Sequence, residues 1–150
     1  MSDNWIALVP VDPHFIPSPG RQTIARNRLG EIAPDADQIE IIVSESVRFF
    51  DCGANFQKIL CPSCGKEIAL DWWSERMDDD YQDGFKLDRY CTPCCNSASP
   101  LHELIYDWPQ AFGCFALDVM NPRIGTLENE HRRELEEILE TKLVVVYQHI

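Results

Sequence analysis

The residues best suited to chemistry are cysteines: the chain has seven, and five sit in two tight groups, Cys61-Pro62-Ser63-Cys64-Gly65 and Cys91-Thr92-Pro93-Cys94-Cys95. A thiolate is a soft donor, and two thiolates three positions apart can grip one ion only where the chain folds tightly back. Gly65 supports such a reversal, because glycine tolerates positive φ. Together the groups read C-x2-C-x26-C-x2-C, the spacing of paired zinc knuckles. Four thiolates closing a tetrahedron leave no open position for a substrate, so the expected cofactor is one structural Zn²⁺. Cys61 and Cys64 are the expected ligands of the first group. In the second, spacing selects Cys91 and Cys94. Cys95, however, stands where a knuckle usually has glycine, so Cys94 with Cys95 is the alternative, leaving Cys91 free. An odd, clustered cysteine count also argues against a secreted disulfide framework and for a reducing, cytoplasmic setting.

Catalytic signatures are scarce. None of His14, His102, His131 and His149 lies in a metal-binding spacing, and no nucleophile-elbow, P-loop or dinucleotide motif occurs. Cys114 lies in an apolar run that should bury it and keep it inert, whereas Cys52, between Asp51 and Gly53, is the better reactive thiol even though the adjacent carboxylate disfavours its thiolate. The expectation is a protein without enzymatic activity. Thirteen Lys and Arg against twenty-five Asp and Glu give a net charge of −12, the wrong sign for holding phosphates over a broad surface. Zn(Cys)4 is itself anionic and does not reverse that sign. Nucleic acid and anionic membrane are therefore disfavoured as partners. Arg21, Arg26 and Arg28 form the one basic group that could contradict this, and they read more simply as solvated helix residues.

The spacer between the cysteine groups predicts a short helix with Leu70, Trp73, Met77 and Tyr81 near one face and Asp71, Glu75, Asp78 and Asp79 on the other. Trp72 points about 100 degrees away from Trp73 on a helix. Trp72 with Asp78, Asp79 and Asp80 is thus the expected partner-binding surface, suited to a basic protein. The simpler alternative is a solvated acidic face over an aromatic core.

These side chains must be positioned by a fold, and 150 residues with 45% hydrophobic content suffice for a core that needs no disulfides. Residues 5–9 read as a buried strand. Ser18 and Pro19 open a helix over 19–33, with Ile24, Leu29 and Ile32 inward, and Pro34 stops it. Residues 38–43 and 47–50 predict a bulged strand. Residues 101–108 and 112–120 predict a hairpin about Pro109-Gln110-Ala111, Thr126 is expected to cap a second helix reaching Glu140, and the Val-rich 143–147 predicts a central strand. Two βαβ-like halves make the expected fold an α+β ferredoxin-like sandwich. Residues 1–57 and 100–150 would form its core, and 58–99 a zinc-knuckle insert of zinc-ribbon or treble-clef-like form. No run of eighteen apolar residues and no basic-then-apolar leader occurs, so a soluble, unexported protein is expected.

Cys61-Pro62-Ser63-Cys64-Gly65, Trp72-Trp73, Pro93-Cys94-Cys95 and Tyr106-Asp107-Trp108-Pro109 together resemble a family of small uncharacterised bacterial proteins. The resemblance covers most of the chain and implies a bacterial, cytosolic context without a transferable activity. In that family glycine tends to follow the Pro-Cys-Cys element; here Asn96 stands there, and the emphasis on adjacent cysteines strengthens the Cys94 and Cys95 alternative. The resulting functional expectation is a non-enzymatic, zinc-stabilised protein that binds another protein, as an immunity or inhibitor protein neutralising a basic toxin would. A nucleic-acid-associated zinc-ribbon accessory factor is the alternative.

Overall fold

The computed structural model describes residues 2–150. In chain order its elements are β1 (Asn4–Pro10), α1 (Pro19–Ile32), β2 (Gln38–Phe50), β3 (Lys58–Leu60), α2 (Leu70–Asp80), β4 (Arg89–Cys91), β5 (Ala98–Pro100), a 3-10 turn at Leu101–Glu103, β6 (Ile105–Asp107), β7 (Ala111–Met120), α3 (Asn129–Leu139) and β8 (Leu143–His149). The fold is mixed α+β. Its main sheet runs β2-β7-β1-β8, and each neighbouring pair is antiparallel.

Strand alternation decides what each face of this sheet meets. Ile6 and Leu8 of β1 join Phe115, Leu117 and Val119 of β7 in one apolar cluster with Ala25 and Leu29 of α1 and Leu135 and Leu139 of α3. Ala7 and Val9 alternate to the opposite face and cluster with Ala116, Val146 and Cys52. Farther along β7, Phe112 and Cys114 meet Ile59, Ile68, Leu101 and Tyr106 from the cysteine-bearing segment. That segment is therefore docked on the main sheet through a shared core. The β3–β6 pairing also ties residues 58–60 to residues 105–107, so the expected insert boundary at residue 99 is crossed by backbone hydrogen bonds.

Several expectations are corrected. Residues 101–108 and 112–120 form no hairpin, because β6 pairs with β3 while β7 runs between β2 and β1. The intervening Gln110 is buried, and its Oε1 accepts the Cys52 amide at 3.1 Å. The Val-rich β8 is an edge strand, not a central one. Its outer side is covered at one end, where the Ala54 amide donates to the His149 carbonyl at 2.8 Å. In α1 the inward positions are Gln22, Ala25 and Leu29, whereas Ile24 is 57% exposed. Ser18 occupies the cap position without a side-chain hydrogen bond. The last helix begins at Asn129, after Glu128; the Leu127 amide donates to the Tyr147 hydroxyl at 3.0 Å, which holds the preceding residues in an extended approach. The irregularity in β2 falls between Val43 and Arg48, as its broken apolar pattern predicts.

The first-helix arginines face a neighbour. Arg28 Nε lies 2.8 Å from Glu134, and Arg21 Nε lies 2.8 Å from Glu140, both across the α1–α3 contact. Among the described residues, no helix is long and apolar enough to cross a membrane.

Gly113 marks the closest approach within the sheet. A Cβ there would lie 2.7 Å from Val9 Cγ1, so Gly113→Ala should cost about 1–3 kcal/mol through overpacking. Denaturant unfolding should show the loss. Val9→Ala in the same chain should recover part of it, so that the two changes together cost less than their sum.

Candidate metal centre

Each cysteine group lies at the tip of a short antiparallel hairpin. The first runs from β3 to a bridge between Leu60 and Glu67, and the second joins β4 to β5. At the first tip the Cys61 amide donates to the Lys66 carbonyl at 2.8 Å and the Gly65 amide to the Cys61 carbonyl at 2.9 Å. At the second, the Thr92 amide donates to Ser97 at 3.0 Å and the Asn96 amide to Thr92 at 2.9 Å. The same turn is thus built twice, with Pro62 matching Pro93, Cys64 matching Cys95 and Gly65 matching Asn96. Gly65 and Asn96 both adopt positive φ, 76° and 60°, and asparagine is the non-glycine residue that visits this region most readily.

This register groups the sulfurs of the alternative set, with Cys95 in place of Cys91. Cys61, Cys64, Cys94 and Cys95 have sulfurs within 4.8 Å of one another. Cys91 is not among them: it lies on β4 opposite Ala98, and its side chain is exposed. Thr92, not Cys91, holds the position equivalent to Cys61, and its hydroxyl lies 3.7 Å from Cys61 Sγ. Cys94, at the position equivalent to Ser63, supplies the remaining sulfur. Matching prolines and the Gly65/Asn96 correspondence are the sequence signal for the adjacent pair, and C-x2-C spacing competes with it.

The cluster has dimensions suited to a tetrahedral ion. Zinc–thiolate bonds of about 2.3 Å place sulfurs about 3.8 Å apart, and here Cys61 and Cys95 are 3.7 Å apart and Cys64 and Cys94 3.3 Å apart. Cys61 is buried, Cys94 intermediate, and Cys64 and Cys95 open to solvent. Hydrogen bonds from the Ser97 and Thr92 hydroxyls and the Ser97 amide bring the Cys95 thiol down to about 6. The Cys64 and Ser63 amides lower Cys61 in the same way. At Cys64 the Lys66 amide favours the thiolate, but the Cys94 thiol, burial and the Cys61 and Cys95 sulfurs outweigh it and push the group up to about 11.

Around the centre, Trp73 joins the cysteine segment to the sheet. Its indole N–H donates to the Tyr106 hydroxyl at 3.1 Å, its ring stacks on Phe56 at 5.7 Å, and it meets Phe49 edge-on at 6.0 Å. Trp72 is half-buried in the same cluster, with the Arg76 guanidinium 5.7 Å over its ring. It is therefore not the exposed aromatic that the sequence suggests. Asp80 is also withdrawn from the expected partner surface. It is 1% exposed, and its carboxylate accepts from the Leu87 amide at 2.8 Å, the Asp88 amide at 3.0 Å and the Tyr90 hydroxyl at 2.9 Å. Asp78 and Asp79 do face solvent, Asp79 with Arg76 at 2.9 Å. Leu70 and Tyr81, expected inward, are 47% and 56% exposed.

Cys52 does not behave as a reactive thiol. It is fully buried and donates to Gln110 Oε1 at 3.5 Å, and burial pushes it up to about 11. Burial likewise raises Cys114, as its apolar surroundings predict. Comparison with protein-family models, curated proteins and solved structures gives no match to this chain.

Two substitutions discriminate the ligand sets. Cys95→Ser should release bound metal and Cys91→Ser should retain it, as read by metal content after gel filtration. Asp80→Ala should leave the ligands in place but cost about 1.5–3 kcal/mol in denaturant unfolding, the scale of hydrogen bonds to a charged group. No loss would show that the 81–90 segment is held by other contacts.

Proposed function

We propose that Cys61, Cys64, Cys94 and Cys95 hold one structural Zn²⁺ and that the protein works by binding another protein. The observation that carries the metal reading is the set of four sulfurs within 4.8 Å of one another. Two such turns on facing hairpins support a zinc-ribbon insert. The strand order β2-β7-β1-β8 with one helix in each strand-helix-strand half supports a ferredoxin-like core. A closed tetrathiolate site has no place for a substrate, so the ion would contribute folding energy.

Charge supports a protein partner over nucleic acid. The chain carries −12, and two of its three first-helix arginines are spent on Glu134 and Glu140. On α2, Asp71, Glu75, Asp78 and Asp79 are all exposed, and Leu70 and Tyr81 add apolar area at either end. This surface suits a basic protein, steered by charge and held by apolar contact. The specific form of the reading is an immunity or inhibitor protein of a bacterial cytoplasm that neutralises a basic toxin. Acidity and the burial of Cys52 and Cys114 support it.

Elemental analysis of protein purified without chelator should find one zinc per chain, and Cys61→Ser should lose the metal and quench or shift Trp73 emission. Absence of zinc would overturn the metal reading. For the interface, Glu75→Gln with Asp78→Asn and Asp79→Asn should slow association with a captured basic partner and flatten its salt dependence while leaving zinc content unchanged. Unaltered association kinetics would place the interface elsewhere.

A further inference from the structure

Among the described residues, two buried side-chain polar atoms lack any hydrogen-bond partner, His102 Nδ1 and Gln110 Nε2. Both residues line the same cavity of about 480 Å³, whose other walls include Val11, Phe112, Val144 and Glu103. An unpaired buried donor or acceptor is costly, and finding two on one cavity calls for an explanation.

Their orientations are fixed by neighbours. The Cys52 amide donates to Gln110 Oε1 at 3.1 Å and the Cys52 thiol to the same oxygen at 3.5 Å. Flipping the carboxamide would set its NH2 against both donors, so Nε2 stays on the far side, carrying two hydrogens and no acceptor. Gln110 is only 7% exposed and cannot turn outward without losing these bonds. At His102, Nε2 lies 3.7 Å from the Glu103 carboxylate, whose negative charge favours a ring proton on that side, so we assign Nδ1 the acceptor role. Burial lowers the affinity of this ring for a second proton and keeps it neutral. The cavity therefore offers one neutral donor and one neutral acceptor beside apolar walls, with the Glu103 carboxylate at its edge.

A second cavity, of about 1060 Å³ and lined in part by Trp5, Trp108 and Tyr147, differs in this respect. Its polar groups satisfy one another: Asn121 donates to Asp37 at 2.8 Å and to Asp3 at 3.1 Å, Arg123 lies 2.7 Å from Asp37, and His149 lies 2.8 Å from Asn4. No buried side-chain polar atom of that lining is without a partner.

We propose that the His102–Gln110 cavity binds a small neutral molecule with an apolar body and one group that both donates and accepts, of the carboxamide type. The C=O would take a hydrogen from Gln110 Nε2, the N–H would donate to His102 Nδ1, and the body would lie against Val11, Phe112 and Val144. Glu103 beside the ring rejects anions of the same shape. This site is independent of the metal reading, and either can fail without the other.

Benzamide is the test probe, with benzoate and toluene as controls of matching size, titrated into the full-length protein and followed by the NMR signals of the His102 ring and the Gln110 side chain. Benzamide should bind at least about tenfold more tightly than either control and move both sets of signals. Gln110→Glu keeps an oxygen for Cys52 but removes the amide donor, and His102→Phe removes the acceptor; each should reduce benzamide affinity by about tenfold or more. Wild-type signal mapping decides the matter if either variant fails to fold. The proposal is overturned if benzamide does not bind, if toluene binds equally well, or if a crystal grown with benzamide shows ordered water alone joining the two side chains.

Discussion

Four cysteine sulfurs within 4.8 Å of one another cannot all carry charge unless a cation lies among them, and the layout of residues 58–107 follows from bringing those sulfurs together. Two hairpin tips must face each other, so each hairpin needs a rigid reversal, and proline before glycine or asparagine supplies it twice. Small hairpins have too little core to stand alone. Their apolar sides are completed by Phe112 and Cys114 of the main sheet and by Trp73, which is bonded to Tyr106 and stacked on Phe56. The sulfur cluster and the sheet are therefore coupled through one aromatic group.

What could be read in advance was mostly local. The first cysteine turn, the start of α1 at Pro19, the break in β2 and the burial of Cys114 all rest on residues adjacent in sequence. For the second turn, C-x2-C spacing favours Cys91 and Cys94, whereas the match of Thr92-Pro93-Cys94-Cys95-Asn96 to Cys61-Pro62-Ser63-Cys64-Gly65 favours the adjacent pair and puts a threonine at the position equivalent to Cys61. Asp80 was placed on the surface because it ends an acidic run. The amides of Leu87 and Asp88 that capture it belong to a loop whose course no local pattern dictates. The β8 strand was taken as central because valine is frequent in buried strands, yet half-exposed edge positions accept valine equally well.

Part of the positive charge is consumed internally. Arg28 and Arg21 reach across to α3, Arg123 is held by Asp37, and Arg76 lies over Trp72 and beside Asp79. Exposed pairs of this kind add little stability each. Their larger effect is to leave the excess carboxylates unopposed, so the net negative potential is expressed at the surface, α2 included.

The strand order also governs the timing of assembly. Of the main-sheet strands consecutive in the chain only β2 and β7 pair, and residues 51–110 lie between them; β1 and β2 are held apart by β7, and β7 and β8 by β1. As the polypeptide leaves the ribosome, β1, α1 and β2 have no sheet partners until β7 has been made. The hairpins bearing the cysteines are complete before that moment. Closure of the large sheet is a late, long-range event of the kind that slows folding, whereas the cysteine segment can collapse from contacts between near neighbours. During synthesis it precedes the surface on which it finally rests.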